Sequence, residues 1–268
     1  MKKIKISQIQ FEAKSTPVEN AKLLKKYFDK TKKFDPDLIC TPQCSNIITN
    51  DIDYLKKNTT FEKDCPVINM VKLFAKENNV NINIGSLLLK VKNKKKLVNR
   101  SYFINTKGKI VKKYDKMHMF DVNINTKETH RESDTFQAGS NIVLLNIDKI
   151  KIGFTICYDL RFPNLFRQLA KSGAQIILMP AAFTVPSGKA HWEVMLRSRA
   201  IENSFFVIAT DMCGTHHTNR KTYGHSILVS PWGKVIAKAT SRPKILNSKI
   251  NLDEIKNVRN KIPAILHD

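Results

Sequence analysis

No stretch of the sequence is apolar for long enough to cross a bilayer. The basic start Met1-Lys2-Lys3 leads into residues Ile4 to Phe11, which alternate with polar ones instead of forming the apolar centre of a leader. Neither membrane nor secretion is implied, and the expected compartment is the cytoplasm. Cysteine is sparse and poorly spaced for a metal: Cys40 and Cys44 are not a C-x-x-C pair, and an odd total of 5 suits free thiols in a reducing compartment. His216 and His217 are adjacent in a polar loop and lack metal-type spacing. Acidic residues are also few, 23 against 46 Lys and Arg, for a net charge of +23. The lysines are spread along the chain, and the densest run, Lys92 to Lys96, reads as a solvated hairpin tip. With no basic helix, zinc finger or aromatic-lined groove, nucleic acid is not an expected partner, and the charge favours acidic partners or substrates. No linker divides the chain.

The sequence does carry the pattern of one large α/β domain over residues 1–268. Ile4, Ile6, Ile9 and Phe11 open a strand, and Val18 to Lys33 reads as a helix with Ala21, Leu24, Tyr27 and Phe28 on one face. Asp37 to Cys40 is a short buried strand running into the turn 41–46, and Pro66 to Glu77 is a second helix. Strands follow at Val80 to Val91, Leu97 to Asn105 and Ile110-Val111. Residues 114–139 read as a long polar loop, the kind that carries function or lacks order. Strands near 142–147 and 150–156, a helix after Pro163, a strand Gln175 to Met179, a helix Lys189 to Asn203 and a strand Phe205 to Thr210 come next. Cys213 to Arg220 reads as a flexible loop before a closing section that is mostly β, through Ile250. The alternation in two halves suggests two facing sheets with helices outside.

The strand at 150–156 delivers Cys157 to a sharp turn before the Pro163 helix. There the helix dipole and free N–H groups favour a thiolate and an oxyanion, so Cys157 is a candidate nucleophile, although a buried structural cysteine has the same local pattern. Lys116 stands in an apolar frame of Met117, Met119 and Phe120, against the alternative of one more solvated lysine. Glu132 on its own reads as a loop carboxylate.

Taken in order, several stretches resemble the nitrilase, or carbon–nitrogen hydrolase, superfamily along nearly the whole chain. They are Thr41-Pro42-Gln43, Tyr114-x-Lys116-x-His118-x-Phe120-Asp121, Arg131-Glu132-Ser133, Ile156-Cys157-Tyr158-Asp159-Leu160-Arg161-Phe162-Pro163, the His191 to Asn203 segment, and Tyr223-Gly224-His225-Ser226 with Pro231-Trp232-Gly233. The Arg161-Phe162-Pro163 stretch and the Ile262 to Asp268 ending are most similar to its branch of small ω-amidases, which includes deaminated-glutathione amidase. The resemblance implies a four-layer α-β-β-α sandwich in the α/β class, paired through its outer helices into a homodimer or higher even oligomer. It implies amide hydrolysis with no cofactor and no metal, acting on a small carboxylate-bearing amide. Cys157 attacks the carbonyl to form a thioester, Lys116 and the Tyr158 N–H hold the oxyanion, and Glu132 positions the lysine. Arg161 is expected to bind a substrate carboxylate, with a salt bridge across the helix start as its alternative. Phe183, Thr184, Tyr223 and His225 are expected to line the pocket.

One position departs from the pattern. The family places a glutamate, its general base, where this chain has Gln43, and an amide takes no proton at neutral pH. Loss of a positioned base costs on the order of 10²- to 10⁴-fold. With an anion gone beside Lys116, Cys157 is expected to be more thiolate-like, and either slow turnover with a persisting acyl-enzyme or near-inactivity on plain amides is expected. The alternative is a non-catalytic, ligand-binding or regulatory protein on the same scaffold.

Overall fold

Thr16 starts the first helix with a reciprocal cap. Its hydroxyl accepts the Glu19 N–H while the Glu19 carboxylate accepts the Thr16 N–H at 3.0 Å, and Pro17 follows at the first turn, where its missing N–H costs nothing. The computed structural model describes residues 3–125 and 128–268. In chain order, β1 (Lys3–Gln10), α1 (Pro17–Thr31), β2 (Leu38–Cys40), α2 (Ile52–Asn58), α3 (Pro66–Glu77), β3 (Asn81–Leu89), β4 (Val98–Ile104) and β5 (Ile110–Asp115) form the first part. A hairpin of β6 (Asp121–Asn125) and β7 (Glu128–Arg131) and one turn of helix, α4 (Glu132–Thr135), lead across to the second. That part holds β8 (Leu144–Ile147), β9 (Ile150–Phe154), α5 (Pro163–Lys171), β10 (Ile176–Ala181), α6 (Val185–Asn203) and β11 (Phe206–Asp211). The chain closes with β12 (Cys213–Thr215), β13 (Lys221–Tyr223), β14 (Ile227–Val229), β15 (Val235–Lys238), β16 (Lys244–Asn251) and α7 (Asp253–Lys261).

Two six-stranded sheets result, in the orders β16-β1-β2-β3-β4-β5 and β15-β14-β11-β10-β9-β8. In each, the middle strands are parallel, β1 with β2 and β3, and β9 with β10 and β11. Strand alternation puts Leu38 and Cys40 of β2 into the core shared with the second sheet, while Ile39 joins the core under α1 and α3. On the other side α5 and α6 pack through Leu165, Leu169, Trp192 and Leu196. The layers are therefore α-β-β-α, as the alternation of elements suggests. Two buried glutamines of β1 tie the sheets together. The Gln8 amide donates to Ala209 O (2.8 Å) in β11, and Gln10 accepts from Ser226 N–H (2.8 Å) and donates to Thr240 O (2.6 Å).

Four stretches differ from the sequence expectation. The supposed loop 114–139 contains the β6–β7 hairpin and α4; α2 and α7 are additional helices; and Cys213 to Arg220 is not free but is pinned. His217 stacks on Tyr54 (4.2 Å between centroids) and bonds Thr49 Oγ1 through Nδ1 (2.9 Å), while Thr218 Oγ1 accepts the Asn50 N–H (3.0 Å).

Close approach of the loop after β2 to both sheets depends on Gly85. A Cβ there would fall 2.0 Å from Thr41 O, 2.5 Å from Pro42 O and 2.6 Å from Pro180 Cβ, none of which is a flexible chain end. Gly85→Ala is expected to destabilise the protein by at least the 1–3 kcal/mol, roughly, of an overpacked interior. Thermal denaturation checks this, and a midpoint equal to the parent's would contradict it.

Candidate active site

Separate elements carry the expected reactive side chains to one place. β9 ends at Phe154 and the chain makes a tight helical turn at 157–161 before Pro163 begins α5. Cys157 sits in that turn at φ +50°, the left-handed region that a non-glycine residue occupies only when its surroundings enforce it. After β2, the Ser45 hydroxyl donates to Pro42 O (2.7 Å), closing the turn that presents Gln43. Gln43 N–H donates to Ala181 O (3.3 Å), and its side-chain Oε1 accepts the Ala182 N–H (3.0 Å), so the amide lies against the end of β10. After β5, the Lys116 N–H donates to Asn99 O (3.0 Å), and its side chain turns inward until only 1% of it is exposed. Its ammonium donates to Glu132 Oε2 at the start of α4. The same oxygen accepts the Phe120 N–H (2.7 Å), and Oε1 accepts from Asn99 Nδ2 (3.3 Å).

A cavity of about 530 Å³ opens where these meet, and Gln43, Lys116, Glu132 and Cys157 are on its wall together with Tyr158, Arg161, Phe183 and Thr184. The solvated-lysine reading of Lys116 is thereby set aside. Burial pushes the Cys157 thiol up to about 11, and the opposing pull of Lys116 and of the Ala182 N–H does not cancel it. The thiol has left water, and the cation beside it is already engaged by Glu132. For Lys116 the balance runs the other way. Burial disfavours its ammonium, yet Glu132 and Cys157 together raise it above its ordinary value, so the ion pair persists at neutral pH.

The carbon–nitrogen hydrolase family profile matches residues 5–260. The chain belongs to the carbon–nitrogen hydrolase family. Deaminated glutathione amidase of Yersinia enterocolitica is 37% identical over 235 residues, covering 86% of this chain and 81% of that one. The C. elegans NitFhit protein superimposes with a TM-score of 0.90 at 29% identity over 99% of the hydrolase, which spans 65% of the NitFhit chain. The amidase from Nesterenkonia sp. AN1, solved as a glutamate-to-glutamine variant with acrylamide added at its active-site cysteine, shares the fold at TM-score 0.80 and 19% identity, covering 97% of the hydrolase and 98% of that chain.

Within the hydrolase, Arg161 makes no ion pair with a described residue. Its Nη2 lies 3.2 Å from His191 Nδ1, and its guanidinium carbon is 5.9 Å from the ring centroids of both Tyr158 and Phe183. Tyr223 and His225 are not among the residues on the cavity wall. Their rings stack on each other (4.0 Å between centroids), Tyr223 lies over Gly188 of α6, and the Trp192 indole donates to His225 O (2.9 Å), so the pair braces α6. His216 is buried against Thr222 (2.8 Å) and burial lowers it to about 4, which leaves it neutral. The wall also holds Asn99 and Arg220, for which the sequence reading had no role. Asn99, the first of three consecutive polar residues in β4, offered little signal. Arg220 had none, because it enters the cavity only through the pinning of its loop onto Thr49 and Tyr54.

Proposed function

We propose that this hydrolase is an amidase that opens the C–N bond of a small carboxylate-bearing amide through a thioester on Cys157. The observation that carries the reading is the convergence of Cys157, Lys116 and Glu132, from three separate elements, on one cavity. The sulfur bonds to the amide carbon, and the Lys116 ammonium with the Tyr158 N–H stabilises the oxyanion. On collapse the thiol proton passes to the amide nitrogen, which leaves as ammonia. Water then adds to the thioester, releasing the carboxylic acid and restoring the thiol. Arg161, in no ion pair with a described residue, offers a guanidinium fork to the substrate's carboxylate. Each step moves a proton, and Gln43 carries none, so turnover is slow and the acyl-enzyme persists. In the Nesterenkonia amidase a glutamine variant holds an acrylamide adduct on its cysteine, which shows for that protein that such a thiol still bonds carbon. The reading includes a cytoplasmic homodimer joined across the outer face of α6, where Val194 and Ile201 are 58% and 51% exposed.

Incubation with an activated ester, followed by intact mass and peptide mapping, tests this. A stable acyl adduct on Cys157, absent from Cys157→Ala, is expected; an unmodified protein would sink the proposal. The Gln43 position also favours a second reading, a ligand-binding protein. Binding of an ω-amide such as deaminated glutathione that survives Cys157→Ala, with no adduct and no ammonia, would select it.

A further inference from the structure

Asp159 is fully buried, takes no part in the steps above, and bonds to both segments that do. Its Oδ2 accepts from the Tyr114 hydroxyl (2.6 Å) and from the Ile156 N–H (2.8 Å). Its Oδ1 accepts the His118 N–H (3.1 Å) and lies 2.7 Å from His118 Nδ1. Tyr114 and His118 stand two residues either side of Lys116, and Ile156 and Asp159 bracket Cys157. We propose that Asp159 is a positioning residue that fixes the distance between the Lys116 ammonium and the Cys157 sulfur.

Two physical features support this. The Ile156 N–H bond closes the turn in which Cys157 is held at φ +50°, a conformation that relaxes unless it is enforced. The His118 ring is fixed in turn, stacked on Phe162 with centroids 3.5 Å apart and planes within 10°. The distance matters because the attraction of Lys116 for a developing thiolate falls off with separation and is what opposes the burial of Cys157. The groups acting on the thiol are Lys116, the Ala182 N–H, Asp211, Glu132 and, from the loop after β2, Cys44. Of these, Lys116 is the one whose chain segment Asp159 holds from both sides.

The inference rests on Cys157 being the nucleophile. It is tested by the rate of Cys157 alkylation with iodoacetamide, measured from neutral to alkaline pH in the parent, Tyr114→Phe and Asp159→Asn. Loss of positioning displaces the profile to higher pH, so that at each pH Cys157 reacts about tenfold more slowly, the equivalent of one unit in the thiol pKa. Mere loosening of the fold does the opposite, since it exposes the buried thiols and speeds their reaction. Unchanged or faster alkylation in Tyr114→Phe therefore overturns the inference, and that variant, which conserves volume, decides the matter if Asp159→Asn fails to fold. A parent Cys157 that does not react at all overturns the functional reading and this inference with it, whereas a reactive parent with unaltered variants overturns the inference alone.

Discussion

Gln43→Glu is expected to raise ammonia release from small ω-amides by about 10²- to 10⁴-fold, the usual worth of a positioned acid–base group. The substitution replaces one atom of a side chain already set in place, with Oε1 on the Ala182 N–H and the remaining amide group on the cavity wall. Only 4% of Gln43 is exposed, and burial lifts a carboxyl toward neutrality, where it both accepts and returns a proton. The gain follows from the state of the nucleophile. A thiol pushed up to about 11 is protonated at neutral pH and needs an acceptor at the moment of attack. Measurement is of steady-state ammonia release by the parent and Gln43→Glu, with Cys157→Ala as blank. Equal activity would mean that another group carries the proton, and Glu132→Gln would then separate its contribution.

Lys116→Met is expected to lower both stability and thiol reactivity. It removes one partner of a nearly buried ion pair, and such a loss costs about 3–5 kcal/mol because the other charge is left uncompensated. It also removes a preorganised donor from the oxyanion, worth on the order of 10²- to 10³-fold in rate. Adding Glu132→Gln separates the two effects: stability recovers in the double variant, since no unpaired charge remains, while the rate does not. Urea denaturation and ester acylation measure the two quantities. A Lys116→Met protein as stable as its parent would show that Glu132 finds sufficient partners in the Phe120 N–H and Asn99.

The legible parts of the fold were those where burial imposes a period. The helix read as Pro66 to Glu77 has those bounds because Val67, Ile68, Val71, Phe74 and Ala75 all face the sheet. By contrast α2 buries Leu55 alone and α7 only Ile255 and Val258, too few points to mark a helical stripe in a lysine-rich sequence. In the site, residues next to a strand end were legible, since alternation and a turn fix where such a side chain goes. Tyr223 and His225 were misplaced for a related reason. Tyr223 ends β13 and His225 lies just beyond it, and that strand belongs to a small hairpin against α6 and not to a central sheet. The raised thiol was hidden for another reason: its cause is burial, which depends on how the elements around the turn pack and not on the residues beside Cys157 in sequence.

The long pairing of β1 with β16, from Lys3 opposite Asn251 to Gln10 opposite Lys244, has a consequence for biosynthesis. β1 leaves the ribosome some 240 residues ahead of its antiparallel neighbour. Until that neighbour follows, one side of β1 is an open row of amide and carbonyl groups, the template on which nascent chains associate. The lysines at positions 3 and 5 alternate along that strand and place positive charge beside the waiting edge, so two nascent chains repel where they would otherwise pair.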